Sequence, residues 1–69
     1  MSIIINDEEF DKIFDRIIYP EKLLMSMIHL KEADRNYLLG KFLSENCYEV
    51  YYEDQKFYVL IDAFANQFK

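Results

Sequence analysis

The stretch Cys47-Tyr48-Glu49-Val50-Tyr51-Tyr52-Glu53-Asp54-Gln55-Lys56-Phe57-Tyr58-Val59-Leu60-Ile61 decides the fold, because its side chains alternate with a period of two. Pairing Glu53 with Lys56 across a two-residue Asp54-Gln55 turn sets Tyr52 opposite Phe57, Tyr51 opposite Tyr58, Val50 opposite Val59, Glu49 opposite Leu60 and Tyr48 opposite Ile61. One face then carries Tyr48, Val50, Tyr52, Phe57, Val59 and Ile61. The other carries Glu49, Tyr51, Glu53, Lys56, Tyr58 and Leu60. Both face assignments are tied in this reading to Val50 standing opposite Val59. A two-residue hairpin turn prefers glycine and finds none here, so a four-residue loop in the same register is the alternative.

Upstream of the hairpin the period is helical. Phe10, Ile13, Phe14, Ile17 and Ile18 form the apolar stripe of a first helix over residues 7–18. Asn6 and Glu9 have the spacing of a capping box, and Asp7, Glu8 and Glu9 load the positive end of the helix dipole. Pro20 disfavours helix at Tyr19 and suits the first turn of a second helix. There Leu23, Leu24, Met25, Met27, Ile28 and Leu30 span roughly 220° of the circumference, which marks either a central core helix or one covered by another molecule. Leu38, Leu39, Phe42 and Leu43 form a third helix, separate from the second or continuous with it through a bend, and Asn46 is its expected left-handed stop. Residues 2–5 form either a short edge strand or the lead-in to the first helix. At the other end Phe64 and Phe68 stand four apart, as in a short terminal helix.

These elements predict one α+β domain over residues 1–69: three helices packed on one face of a small antiparallel sheet, namely the C-terminal β-hairpin with or without the N-terminal strand. The expected core is Phe10, Ile13, Phe14, Ile17, Leu24, Ile28, Leu39, Phe42, Val50, Val59 and Ile61. Length permits no second domain.

Charge and composition narrow the function. The net charge is −5, from 13 acids and 8 bases, a poor start for gripping nucleic-acid phosphate. The acidity is confined to residues 1–19 and 47–69, whereas residues 20–46 balance. Apolar runs are too short to span a bilayer, no basic leader with a cleavable apolar stretch opens the chain, and the single cysteine cannot form an internal disulfide. The expected compartment is the cytoplasm. Eight Ile against three Ala, with many Asn, Lys, Tyr and Phe, is what A/T-rich codons encode, so a low-GC bacterium, its plasmid or its phage is the expected source.

Catalysis finds little purchase. Cys47 and His29 form the one nucleophile and imidazole pair on offer, and the pattern assigns them to a strand start and to the second helix. One Cys and one His do not make a metal site without help, and no cofactor is expected. Gly40 lies alone in a helical pattern, where it reads as permitting close helix approach rather than cradling phosphate. No enzyme is expected.

Three surfaces remain as binding candidates. On the first helix, Glu8, Asp11 and Asp15 form an acidic stripe that is either a solvated face or complementary to a basic partner. The outer hairpin face offers Tyr51, Tyr58 and Leu60 with Glu49 and Glu53 at the rim, an aromatic centre suited to protein contact. Met25, Ile28 and the flanking His29 are the expected seam of a twofold homodimer, because six Tyr and six Phe exceed what a chain of this size readily buries. The expected function is a non-catalytic acidic protein-binding module, a phage or mobile-element accessory protein that inhibits or modulates a host protein by occupying a basic surface. The alternative is a winged-helix-like DNA-binding regulator, since one strand, three helices and a hairpin is that fold's element order. Its donors would be Lys31, Arg35, Asn36, Lys41 and Lys56.

Overall fold

In the computed structural model, which describes residues 3–61, strand β1 (Ile3–Ile4) leads into helix α1 (Asp7–Ile13), a single 3-10 turn (Phe14–Arg16) and strand β2 (Ile17–Ile18). Helices α2 (Pro20–Ser26) and α3 (Glu32–Asn46) follow, then strands β3 (Cys47–Tyr52) and β4 (Gln55–Leu60). The class is α+β. The sheet is mixed rather than wholly antiparallel: its order is β1-β3-β4-β2, with β1 parallel to β3 and the other neighbours antiparallel. The expected terminal helix around Phe64 and Phe68 lies outside the described residues.

Helix α1 starts as its sequence dictates. Asn6 Oδ1 accepts from the Glu9 amide at 2.9 Å while Glu9 Oε1 accepts from the Asn6 amide at 3.0 Å. Its end corrects the expected span to residue 18. The helix stops at Ile13, and Ile17 and Ile18 pair as a strand with Val59 and Tyr58. β-Branched residues fit an extended edge well, and Ile17 reaches the core from the sheet as it would have from a helix. Phe14, left behind by the break, is 57% exposed.

Helices two and three are separate. Tyr19 is extended ahead of Pro20, which takes the first helical position, and Lys31 is extended (φ −64°, ψ 150°) ahead of α3. Asn46 does end α3, but not through a left-handed conformation. The chain passes straight into extended Cys47 (φ −131°), and Asn46 Nδ2 donates to the Phe42 carbonyl at 3.2 Å, satisfying an end-of-helix acceptor. A β-carbon built on Gly40 would meet nothing within 4 Å, so close helix approach is not what this glycine serves.

The hairpin register corrects the expected one by two residues. Glu53 and Asp54 form the turn, Tyr52 pairs with Gln55, Val50 with Phe57, Tyr48 with Val59 and Glu49 with Tyr58. Both turn residues have positive φ, 50° and 64°, the handedness that matches strand twist in a two-residue hairpin, and Asp is among the few non-glycine residues that tolerate it. A shift of two leaves the pleat unchanged, so the face assignments survive although Val50 no longer stands opposite Val59.

The core is smaller than expected and sits between α1 and the sheet. Ile5, Ile13, Ile17, Val50 and Val59 are buried, with Ile3, Phe10, Tyr52 and Phe57 packed against them. Phe10 closes one side: it stacks on Tyr52 with centroids 4.1 Å apart and meets Phe57 edge-on at 5.3 Å. The expected core members from α2 and α3 are not buried. Leu24, Leu39 and Phe42 are half-buried and Ile28 is 73% exposed; Ile61, beyond the sheet, is half-buried. The two helices pack on each other as an arm, and their joint is held by Arg35 Nη1, which donates to the Leu30 carbonyl at 2.9 Å and the Ile28 carbonyl at 3.4 Å. Local periodicity announced amphipathic helices there, and it could not say that their apolar faces would meet one another rather than the sheet.

Candidate functional site

Four strands, not two, build the outer sheet face. Ile4 of β1 pairs with Tyr51, Tyr51 with Lys56, Glu49 with Tyr58, Tyr58 with Ile18 of β2, and Cys47 with Leu60. Paired residues point to the same side of a sheet, so Ile4, Tyr51, Tyr58 and Ile18 make an apolar band running diagonally across all four strands. Tyr51 and Tyr58 are diagonal neighbours rather than the directly opposed pair expected. Both are half-buried, as are Ile18 and Leu60, while Ile4 is 82% exposed.

The rim is more mixed than the sequence suggested. Lys56 Nζ lies over the Tyr58 ring, 5.3 Å from its centroid. Hydrogen bonding to Tyr58, and next the Glu49 carboxylate, raise the Lys56 pKa above the ordinary lysine value. The cation therefore sits inside the aromatic patch and offsets Glu49. At the turn end the balance is acidic: Ile4, Tyr51, Glu53 and Asp54 enclose a hollow of about 350 Å³, with an apolar and aromatic floor and two exposed carboxylates at its edge. Asp54 entered this site only through the turn shift. Ile4 and Lys56 could have been found from the sequence by carrying the face across the flanking strand and by asking what a lysine beside two tyrosines does.

The acidic stripe is divided. Glu8 and Asp11 lie on α1 and Asp15 on the 3-10 turn; all three are exposed, and Glu8 pairs with Lys12 at 3.7 Å. The seam residues Met25, Ile28 and His29 are also exposed, the first two at 72% and 73%. A recess of about 340 Å³ beside them is lined by Leu24, Met25, Ile28, Glu32, Arg35 and Asn36. On the opposite side of the arm, Leu23, Met27, Leu38, Leu39 and Phe42 line a groove of about 430 Å³.

The chemical candidates are not brought together. His29 precedes α3 and Cys47 follows it, and a helix of 15 residues holds its ends about 22 Å apart. Burial pushes the Cys47 thiol pKa up, which lowers its thiolate fraction. Among the described residues no three His, Cys, Asp or Glu side chains are grouped to hold a metal ion, and no helix is long and apolar enough to cross a membrane. No family model, curated protein or solved structure matches the chain.

Proposed function

We propose that the chain is a non-catalytic protein-binding module that docks on a basic surface of another protein through the turn end of its outer sheet face. The observation that carries this reading is the hollow formed by Ile4, Tyr51, Glu53 and Asp54. A lysine or arginine entering it lays its aliphatic stem on Ile4 and Tyr51 and brings its charged head to the two carboxylates. The acidity of residues 47–69 and of α1 adds long-range attraction to such a partner. In this reading the chain is an accessory protein of a phage or mobile element in a bacterial cytoplasm, modulating a host protein by covering that surface. The test is affinity capture with the full chain, comparing wild type with the Tyr51→Ala/Tyr58→Ala variant. Capture that resists the tyrosine changes defeats the proposal.

One observation favours a second reading, the DNA-binding regulator. The strand between α1 and α2 pairs antiparallel with β4, giving the β2, β4, β3 arrangement of a winged helix. Its donors fare poorly. Arg35 is occupied by the carbonyls of the α2–α3 joint, Lys56 lies on Tyr58, and the exposed Lys31 and Lys41 share the segment with exposed Glu32, Asp34 and Glu45. The wing tip is Glu53-Asp54, which repels phosphate. Sub-micromolar, sequence-specific duplex binding at physiological salt would establish the regulator in place of the module.

A further inference from the structure

We infer that a second copy of this chain docks on the Met25 face of the helical arm, as an antiparallel twofold contact centred on Met25. This surface is separate from the outer sheet face, and the inference does not rest on the function proposed for that face. Helix α2 has no buried residue, although its sequence is apolar around most of its circumference. Met25 and Ile28 are the two most exposed large apolar side chains of the arm, and winding continues between them through the Ile28 amide, which donates to the Met25 carbonyl at 3.4 Å.

Charge identifies the occupant. Glu21, Lys22, Glu32 and Arg35 surround the patch with two charges of each sign, on a chain whose net charge is −5. Two such chains repel wherever their acidic parts meet, and residues 20–46 are the balanced segment through which they can approach. A basic partner gains nothing on a balanced patch, whereas a second copy does. Glu21, Met25, Ile28 and His29 follow i, i+4, i+7, i+8 spacing, one helical stripe. Running two stripes antiparallel through a twofold axis at Met25 sets Met25 on Met25 and Glu21 of each copy beside His29 of the other, twice. The flexible thioether seats in the recess between Leu24, Ile28, Glu32 and Asn36. Lys22 does not obstruct the approach, since its ammonium lies over the Tyr19 ring at 5.6 Å. Arg35 makes the patch rigid by holding the Ile28 and Leu30 carbonyls.

Sedimentation velocity of the full chain over a concentration series tests the contact. A reversible dimer is expected, weakened at least tenfold by Met25→Glu and by Glu21→Lys, and restored when Glu21→Lys is combined with His29→Glu. Leu38→Glu, on the opposite groove, is expected to leave the dimer intact. Circular dichroism on each variant separates loss of contact from loss of fold; should Met25→Glu unfold the chain, the surface exchange at Glu21 and His29 still decides. A monomer at several hundred micromolar overturns the inference. So does a dimer indifferent to Met25→Glu, a dimer broken by Leu38→Glu, or a charge exchange that fails to restore association.

Discussion

Tyr52, the last residue of β3, donates its hydroxyl proton to Asp7 Oδ1 at 2.7 Å, joining the turn end of the hairpin to the first turn of α1 across 45 residues of sequence. The same tyrosine stacks on Phe10 of that helix, so one side chain both closes the aromatic side of the core and anchors the helix start.

The bond gives the fold an alkaline limit. The hydrogen bond to Asp7 raises the Tyr52 pKa above its ordinary value of 10.0, with desolvation and the charges of Asp7 and Glu53 adding to it. An unfolded chain releases this proton near pH 10, while the folded chain keeps it to higher pH. Above about pH 10 the unfolded state therefore binds fewer protons, and stability falls as pH rises. The stabilisation is fully present below that pH. Urea titrations at pH 7 and pH 11 are expected to show a steeper loss for wild type than for Tyr52→Phe, which lacks the proton altogether. Equal losses would detach Tyr52 from the effect.

The turn carries removable strain. Glu53 and Asp54 both sit at positive φ, where a side chain is tolerated at a cost. Replacing the pair by Asn-Gly, the preferred residues for this turn, is expected to raise stability by about 1 kcal/mol. A lower urea midpoint for Glu53→Asn/Asp54→Gly would show that the chain turns elsewhere. Because those changes also remove two carboxylates from the hollow beside Tyr51, the stabilised variant should bind a basic partner more weakly.

The hairpin also shows what a sequence discloses. Its alternation gave the two faces, and Val50 and Val59 are wholly buried on the inner one. Alternation cannot distinguish registers two apart, because they present the same faces; the choice falls to turn conformation, and the handedness at Glu53-Asp54 settles it here. Ile17 and Ile18 illustrate the converse. Their helical spacing was real, yet β-branched residues beside an open strand edge find ladder partners that no local window reveals. The tyrosine patch was legible as a face but not as a site, because Ile4 and Ile18 join it from strands distant in sequence.

Gly40 offers a direct measure of the arm. It lies inside α3 with open space where a β-carbon would go, so it carries the entropic cost of glycine with no packing return. Gly40→Ala is expected to stabilise the chain by about 0.5–1 kcal/mol. Destabilisation would mean that another molecule approaches α3 at this position.

Arg35 separates the arm's architecture from any role in nucleic-acid binding. Losing its bonds to the Leu30 and Ile28 carbonyls should cost about 1–2 kcal/mol and speed amide exchange in residues 27–31. Arg35→Ala should leave duplex binding, weak or absent in wild type, unchanged. If the substitution instead abolishes a measurable affinity for DNA without altering exchange, the guanidinium serves phosphate and not the joint.

The outer sheet face yields the last prediction. Tyr51 and Tyr58 lie on the side of the sheet away from the buried valines, so replacing both by alanine should leave a folded chain. If they are central anchors, the double change costs an interaction on the order of 2 kcal/mol or more, measured by calorimetry against the captured partner. Reversing Glu49 and Glu53 to lysine should chiefly slow association and alter its salt dependence, as rim charges do. Lys56 makes the forecast sharper. It holds a positive charge over Tyr58 and next to Glu49, opposing a basic partner at the place where the tyrosines would meet it. Lys56→Gln should therefore quicken association, the opposite of what a DNA-binding wing requires of its basic residue. A partner that binds more slowly to Lys56→Gln, or with unchanged affinity to the double alanine variant, meets the protein on another surface.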